Sequence, residues 1–311
     1  MIKSLLITGA NAGIGKECAR QMSFVPGVEK ILLGCRNPAK AQKAKQDLEA
    51  STGKNVFETF DIDVSNLDSV VSAIKRINSP IDGLVMNAGG MGGKTPKRIN
   101  QYGVSDLFAA NLLGHTLLLD ELLKAKKLNN VAIYAGSEAA RGVSAMGMKA
   151  PVLDNGSIEE FVSICNMSKF EENADDPYVY SMVKLMAALW MSSTARKYPD
   201  IRLVTVSPGG TRGTEVMKDL PLPMKMMFKA MFIGMAVFGF SHSLETGAKR
   251  YVDVLTDENY KSGIFYASPK KVTGPLVDQA LLSNYFANEN YQDNASAAIF
   301  DFLNKSMKKP A

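Results

Sequence analysis

Leu5-Leu6-Ile7-Thr8-Gly9-Ala10-Asn11-Ala12-Gly13-Ile14-Gly15-Lys16 is the stretch from which the rest of the chain can be read. A short apolar run stops at Thr8, glycines recur at positions 9, 13 and 15, and an amphipathic segment from Lys16 to Ser23 follows at once. Glycines in that setting let the backbone turn tightly and approach a pyrophosphate, which then rests on the unpaired N–H groups at the positive end of a helix. The spacing alone is weak, because a chain with 25 Gly produces it by accident. Its place after a strand and before a helix is what points to a dinucleotide, with Gly9, Asn11, Ala12, Gly13, Ile14 and Gly15 as the contacting residues. The alternative is a turn that holds no ligand.

Similar short apolar runs recur along the chain. Leu5 to Ile7, Ile31 to Leu33, Val56-Phe57 with Phe60, Leu84 to Met86, Val131 to Tyr134, Leu203 to Val206 and Ile264 to Tyr266 read as seven strands. They lack polar alternation, as strands do when helices cover both faces of a parallel sheet. Between them lie helix-period segments: Lys16 to Ser23, Pro38 to Ala50, Ser69 to Ile77, Ile99 to Lys127, Tyr178 to Tyr198 and Leu244 to Leu255. Ser65-Asn66-Leu67-Asp68 has the look of a helix N-cap with an acid three residues on. This order predicts an α/β chain of Rossmann type: a doubly wound, mostly parallel seven-stranded sheet in a single domain over residues 1–311. Two segments break the rhythm. Residues 138–176 form a partly helical insertion, and about 210–243 contains the most apolar run, Met224 to Phe240. Its uncharged part, Ala230 to Phe240, has about half the length a membrane-spanning helix needs.

Composition removes several classes of function. Of 311 residues, 46% are hydrophobic and 22% charged, which is too apolar for a disordered chain. Cys18, Cys35 and Cys165 are an odd, scattered set, and there are only two histidines, so neither a disulfide framework nor a metal centre is expected. The net charge of +5 is spread among acids, and the clusters Lys124-Ala125-Lys126-Lys127 and Lys305 to Lys309 read as helix ends, not a nucleic-acid surface. The first residues lead straight into the glycine turn without the regions of a signal peptide, so a cytoplasmic location is expected.

The chemistry lies at the carboxyl ends of the expected strands. Strand two ends in Gly34-Cys35-Arg36-Asn37, with no carboxylate to accept from ribose hydroxyls. Arg36 can instead pair with a 2′-phosphate and stack on adenine, which favours NADP(H) over NAD. Asp63-Val64 closes strand three and Asn87-Ala88-Gly89 closes strand four, where small residues let a cofactor cross the sheet edge. Two Tyr-x-x-x-Lys patterns occur. Tyr266 to Lys270 follows a strand and contains Pro269, so its ends cannot share a helical face. Tyr180-Ser181-Met182-Val183-Lys184 opens a run of helix formers, which puts Tyr180 and Lys184 one turn apart on one face.

Together these residues resemble the classical short-chain dehydrogenase/reductase family. The match comprises Thr8 to Gly15, Asp63-Val64, Asn87-Ala88-Gly89, Asn111, Gly136-Ser137, Tyr180 with Lys184, and Pro208-Gly209, in family order over about residues 3 to 215. Gly34 to Asn37, Asn111 to His115 and Tyr180 to Leu185 are similar to the retinol dehydrogenase branch, and the last third is similar to light-dependent protochlorophyllide reductases. The resemblance implies that Tyr180 exchanges a proton with substrate oxygen, that Lys184 depresses its pKa, that Ser137 polarises the carbonyl, and that Asn111 sustains a water-linked proton path behind Lys184. It also implies that Pro208, Gly209 and Thr214 touch the nicotinamide, and that residues 210–243 form a lid over a hydrophobic small molecule. Protochlorophyllide reductases carry a Cys where this chain has Gly210, which argues against proton donation by a thiol there. His115 reads as a packed helix residue and His242 as a loop residue.

The expected activity is therefore NADP(H)-dependent reduction of an aldehyde or ketone. The alternatives are reduction of a conjugated C=C bond, as in protochlorophyllide reductases, and a non-catalytic dinucleotide sensor. A monomer or homodimer is expected. Contact with membranes would be peripheral, without stable insertion.

Overall fold

Backbone in the computed structural model is described for residues 1–93, 95–211 and 240–308. The apolar runs become strands β1 (Ser4–Thr8), β2 (Lys30–Cys35), β3 (Phe57–Asp61), β4 (Ile81–Met86), β5 (Leu128–Ala135), β6 (Arg202–Val206) and β7 (Phe265–Ala267). An eighth, β8 (Val277–Asp278), corrects the expected seven; two residues are too short to display a sequence pattern. The sheet order is β3-β2-β1-β4-β5-β6-β7-β8. All pairings are parallel except β7 with β8. Strand order reverses beside β1, so the crevice past the carboxyl ends of β1 and β4 is where such sheets take ligands.

Helices cover both faces. Helices α1 (Gly13–Met22), α2 (Pro38–Thr52) and α8 (Leu244–Thr256) bury Cys18, Ala19, Met22, Ala41, Leu48, Tyr251 and Val254 against one face. The other face receives α3 (Leu67–Arg76), α5 (Gly114–Lys124), α6 (Ile158–Cys165), α7 (Asp176–Lys197) and α9 (Glu289–Met307), with Trp190 and Phe161 fully buried. Helix α7 is the most enclosed, its residues from Ser181 to Ala195 all buried, so it shows little amphipathic contrast.

Local chemistry fixes the helix ends. Asn37 accepts from Lys40 N and Pro38 opens α2, while Gly53 stops it in the left-handed region. At α3 the cap is Asn66, accepting from Asp68 N and Ser69 N. Ser65, expected as the cap, instead donates its hydroxyl to Asp63. The segment expected to be helical from Ile99 begins only at Asp106, because Ser105 caps Phe108 N and Gly103 turns the chain before it. After α4 (Asp106–Phe108) comes a π-helical turn, Ala109–Leu113, before α5 resumes. At the start of α5 an added Cβ on Gly114 would lie 1.8 Å from Val64 O, so helix and strand end touch backbone to backbone.

The insertion at 138–176 is partly helical as expected, with two 3-10 turns and α6. Thr214 and most of the apolar lid at 210–243 lie outside the described residues. Among the described helices none is long and apolar enough to cross a membrane.

Candidate active site

Past the carboxyl ends of β1 to β6 runs a cavity of about 1380 Å³. Gly9, Asn11, Ala12, Gly13 and Ile14 line it from the glycine turn, Arg36 from the end of β2, Asp63 and Val64 from β3, and Asn87, Ala88 and Gly89 from β4. Tyr180, Lys184 and Pro208 line it too. The turn is built for close approach. Gly9 has φ +68, and a Cβ on Gly15 would meet Gly9 O at 2.6 Å, so Gly15 sits beneath the turn and does not line the cavity. Helix α1 begins after Ala12 with no side-chain cap and no acid in its first turn, leaving its N–H groups for an anion. Asn87 Nδ2 donates to Thr8 O at 3.0 Å and ties β4 to the turn. On α8, Tyr251 also lines the cavity, and its buried hydroxyl has no partner among the described residues. These features fit a dinucleotide.

At the β2 end of the cavity, Arg36 is exposed, and Lys40 lines the same wall. Lys40 was not anticipated; it faces the cavity because Asn37 starts α2 there. Gly209 lies beside Pro208 but outside the lining residues, with φ +76 and Arg250 Nη1 2.6 Å from where a Cβ would stand.

At the opposite end, α7 carries Tyr180 and Lys184 on one face, as their spacing requires. Lys184 is 4% exposed and donates to Ala135 O at 2.8 Å; its Nζ lies 5.5 Å from the Tyr180 ring centroid. Burial pulls the Lys184 ammonium down to about 7. Burial also pushes the Tyr180 phenol up to about 12, while a hydrogen bond with Ser137 lowers it and the Glu138 charge adds to the rise. At Tyr180 burial outweighs the lowering by Ser137. Ser137, half-buried at the end of β5, accepts from Ala139 N at 3.2 Å and starts the turn Glu138–Arg141.

Asn111 is fully buried in the π turn. Its side chain donates to Gly90 O and Leu107 O, at 2.8 and 2.9 Å, and accepts from Gly90 N. Its carbonyl accepts from Tyr134 Oη at 2.9 Å and faces His115 Nδ1 at 2.8 Å. Two side chains, one from β5 and one from α5, thus converge on that carbonyl. His115 is packed, as expected, and burial lowers its pKa to about 4.

Sequence reading missed Glu138. It is 2% exposed and accepts from Ser207 Oγ, Ser268 N and Arg250 Nη1. Only a charge directly after Ser137 hinted at it, and its partner lies 112 residues away. The second Tyr-x-x-x-Lys is no site: Tyr266 lies on β7 and its hydroxyl accepts from Lys261 N. His242, in the loop before α8, pairs across an isolated bridge with Thr211. At Gly210 an added Cβ would be 2.4 Å from Val272 Cγ2, so this chain has no room there for a cysteine. All three cysteines are buried, and burial raises Cys18 to about 12 and Cys35 to about 11.

The profile of the short chain dehydrogenase family matches residues 3–150. A short chain dehydrogenase/reductase of Annulohypoxylon moriforme is 24% identical over 308 residues, covering 92% of this chain and 86% of that one. Human retinol dehydrogenase 13 is 32% identical over 128 residues, 40% of this chain and 38% of that protein. Over residues 3–150 the chain is therefore similar to the short chain dehydrogenase family. Solved structures show the same fold. Salutaridine reductase from Papaver somniferum has a TM-score of 0.61 at 20% identity, covering 86% of this chain and 100% of that one. The NADPH-bound carbonyl reductase from chicken fatty liver has a TM-score of 0.57 at 18% identity, over 88% and 99%. The likeness is to oxidoreductases built on a Rossmann-like scaffold.

Proposed function

We propose that this chain reduces an aldehyde or ketone of a hydrophobic small molecule with NADPH, acting as one cytoplasmic oxidoreductase domain over residues 1–311. One observation carries the reading: a single cavity joins the glycine turn and Arg36 to Tyr180 and Lys184. The turn and the start of α1 hold the pyrophosphate. Arg36 and Lys40 hold a 2′-phosphate, for which a carboxylate at the end of β2 would be the wrong partner. Asp63, Val64, Asn87, Ala88 and Gly89 flank the adenosine and ribose path, while Pro208, Gly209 and Thr214 serve the nicotinamide end. When bound, the dinucleotide supplies the hydride.

The chain's own residues supply the rest. Tyr180, a phenol protonated at neutral pH, donates to substrate oxygen from its hydroxyl. Ser137 holds that oxygen by hydrogen bonding, and Lys184 lies behind the phenol. NADPH-bound and NADP-bound reductases among the solved relatives share the fold, which is consistent with this cofactor.

Tyr180→Phe is the test. Loss of a positioned proton donor lowers turnover by about 10²- to 10⁴-fold, with NADPH binding retained. Full turnover by the variant would remove Tyr180 from the mechanism, and a protein that binds NADPH but reduces no apolar aldehyde or ketone would overturn the carbonyl-reductase reading in favour of a C=C reductase or a sensor.

A further inference from the structure

The side of Lys184 away from the cavity is closed by side chains in series. Lys184 Nζ donates to Tyr134 Oη at 3.4 Å and stands 4.9 Å from the centroid of that ring. Tyr134 Oη donates to Asn111 O. His115 Nδ1 faces the same carbonyl, which can only accept, so the proton of the neutral imidazole lies on Nδ1. Nε2 is then an acceptor, placed 3.0 Å from Thr8 Oγ1. Thr8 Oγ1 accepts in turn from Asn87 N and Ala88 N. The Tyr134 ring is 99% buried and is fixed edge-on by His115 and Trp190.

We propose that Tyr134 is a positioning residue for the Tyr180–Lys184 couple, its hydroxyl bridging the Lys184 ammonium to the Asn111 carbonyl where a water would otherwise be needed. The proposal rests on the reductase reading above. A carbonyl oxygen cannot pass a proton on, so the chain behind Tyr134 ends at Asn111. The proton that Tyr180 gives to the substrate alkoxide is replaced from solvent, one proton for each hydride delivered. The π turn serves the same arrangement, since it turns the Asn111 carbonyl toward a side chain on β5 and one on α5.

The titratable groups around the couple are Tyr134 on β5, Glu138 on the next turn, His115 on α5 and Tyr251 on α8. Glu138 is paired with Arg250, and burial keeps His115 neutral above about pH 4. Removing the Tyr134 hydroxyl changes no formal charge and takes one acceptor from the ammonium.

Tyr134→Phe and the parent would be compared by NADPH titration and by the pH dependence of kcat and KM for one apolar aldehyde. Tyr134→Leu, which also removes the ring, provides a second variant. The expected result is unchanged NADPH affinity, unchanged KM, a kcat about tenfold lower, and an alkaline limb of kcat moved to lower pH by about one unit. Tyr134→Leu should lose more. Parent-like kcat and pH profile in Tyr134→Phe would overturn the proposal, as would weakened NADPH binding, which would make Tyr134 part of the dinucleotide wall. A parent that binds NADPH without turning over any aldehyde would defeat the reductase reading, and the Tyr134 proposal would fall with it.

Discussion

Replacing Arg250 by Met would leave the Glu138 carboxylate charged and 3% exposed, with its counter-ion gone. Arg250, 7% exposed at its side chain, spans four elements: it donates to Glu138 Oε1 at 3.4 Å, Ser207 O at 3.2 Å, and Ser268 Oγ and Gly274 O at 2.8 Å each. Breaking one half of a buried pair costs about 3–5 kcal/mol, because the survivor keeps its desolvation penalty without compensation. Spread over a cooperative unit of this length, that is a fall in Tm of about 5–8 °C. Glu138→Gln should lose less, since the amide retains part of the bonding to Ser207 and Ser268. Joining Glu138→Gln to Arg250→Met should cost less than the sum of the two, because the double variant holds no unpaired charge. Thermal unfolding by circular dichroism measures all three. Arg250→Met melting within 1 °C of the parent, or strict additivity in the double variant, would refute the view that this pair acts as a buried unit.

Other outcomes follow from the same geometry. Gly114→Ala pushes a Cβ into Val64 O and should destabilise by at least about 3 kcal/mol, read as loss of soluble protein or a lowered Tm. Lys184 titrates at about 7 when folded against an ordinary 10.5, so the unfolded chain binds the extra proton between those values and stability rises as pH goes from 7 to 10.5. Lys184→Met should therefore raise Tm at pH 7, with the gain shrinking toward pH 10.5, while abolishing turnover. His115 works in a lower window: with a folded value of about 4 against 6.5, its contribution is lost as pH falls from 6.5 to 4, and His115→Gln should flatten that part of the Tm–pH curve. Arg36→Ala removes one charge-assisted contact and should weaken NADPH binding about 10- to 100-fold, with a smaller loss for NADH, which keeps only the adenine contact, read by calorimetry.

The parts of the chain legible in sequence are those whose cause is local. Strands β1, β2, β4 and β6 announce themselves as apolar runs buried on both faces; α2 opens at Pro38; Tyr180 and Lys184 share a face by helical period alone. What could not be read depends on partners far away in the chain. Ile99 to Ser105 looks helical until Ser105 and Gly103 are seen acting as a cap and a turn. Glu138 gains its role from Arg250, and Asn111 from Tyr134 and His115, which meet only because the π turn redirects one carbonyl. The environment of Tyr180 is of the same kind: sequence shows Lys184 one turn away but not the burial that raises the phenol.

Calorimetric titration of the purified, cofactor-stripped protein with NADPH and separately with NADH tests the central claim most directly. Clear preference for NADPH is expected from the glycine turn acting with Arg36 and Lys40. Binding of neither nucleotide by folded protein would contradict the reading of the cavity, and preference for NADH would contradict the assignment of Arg36.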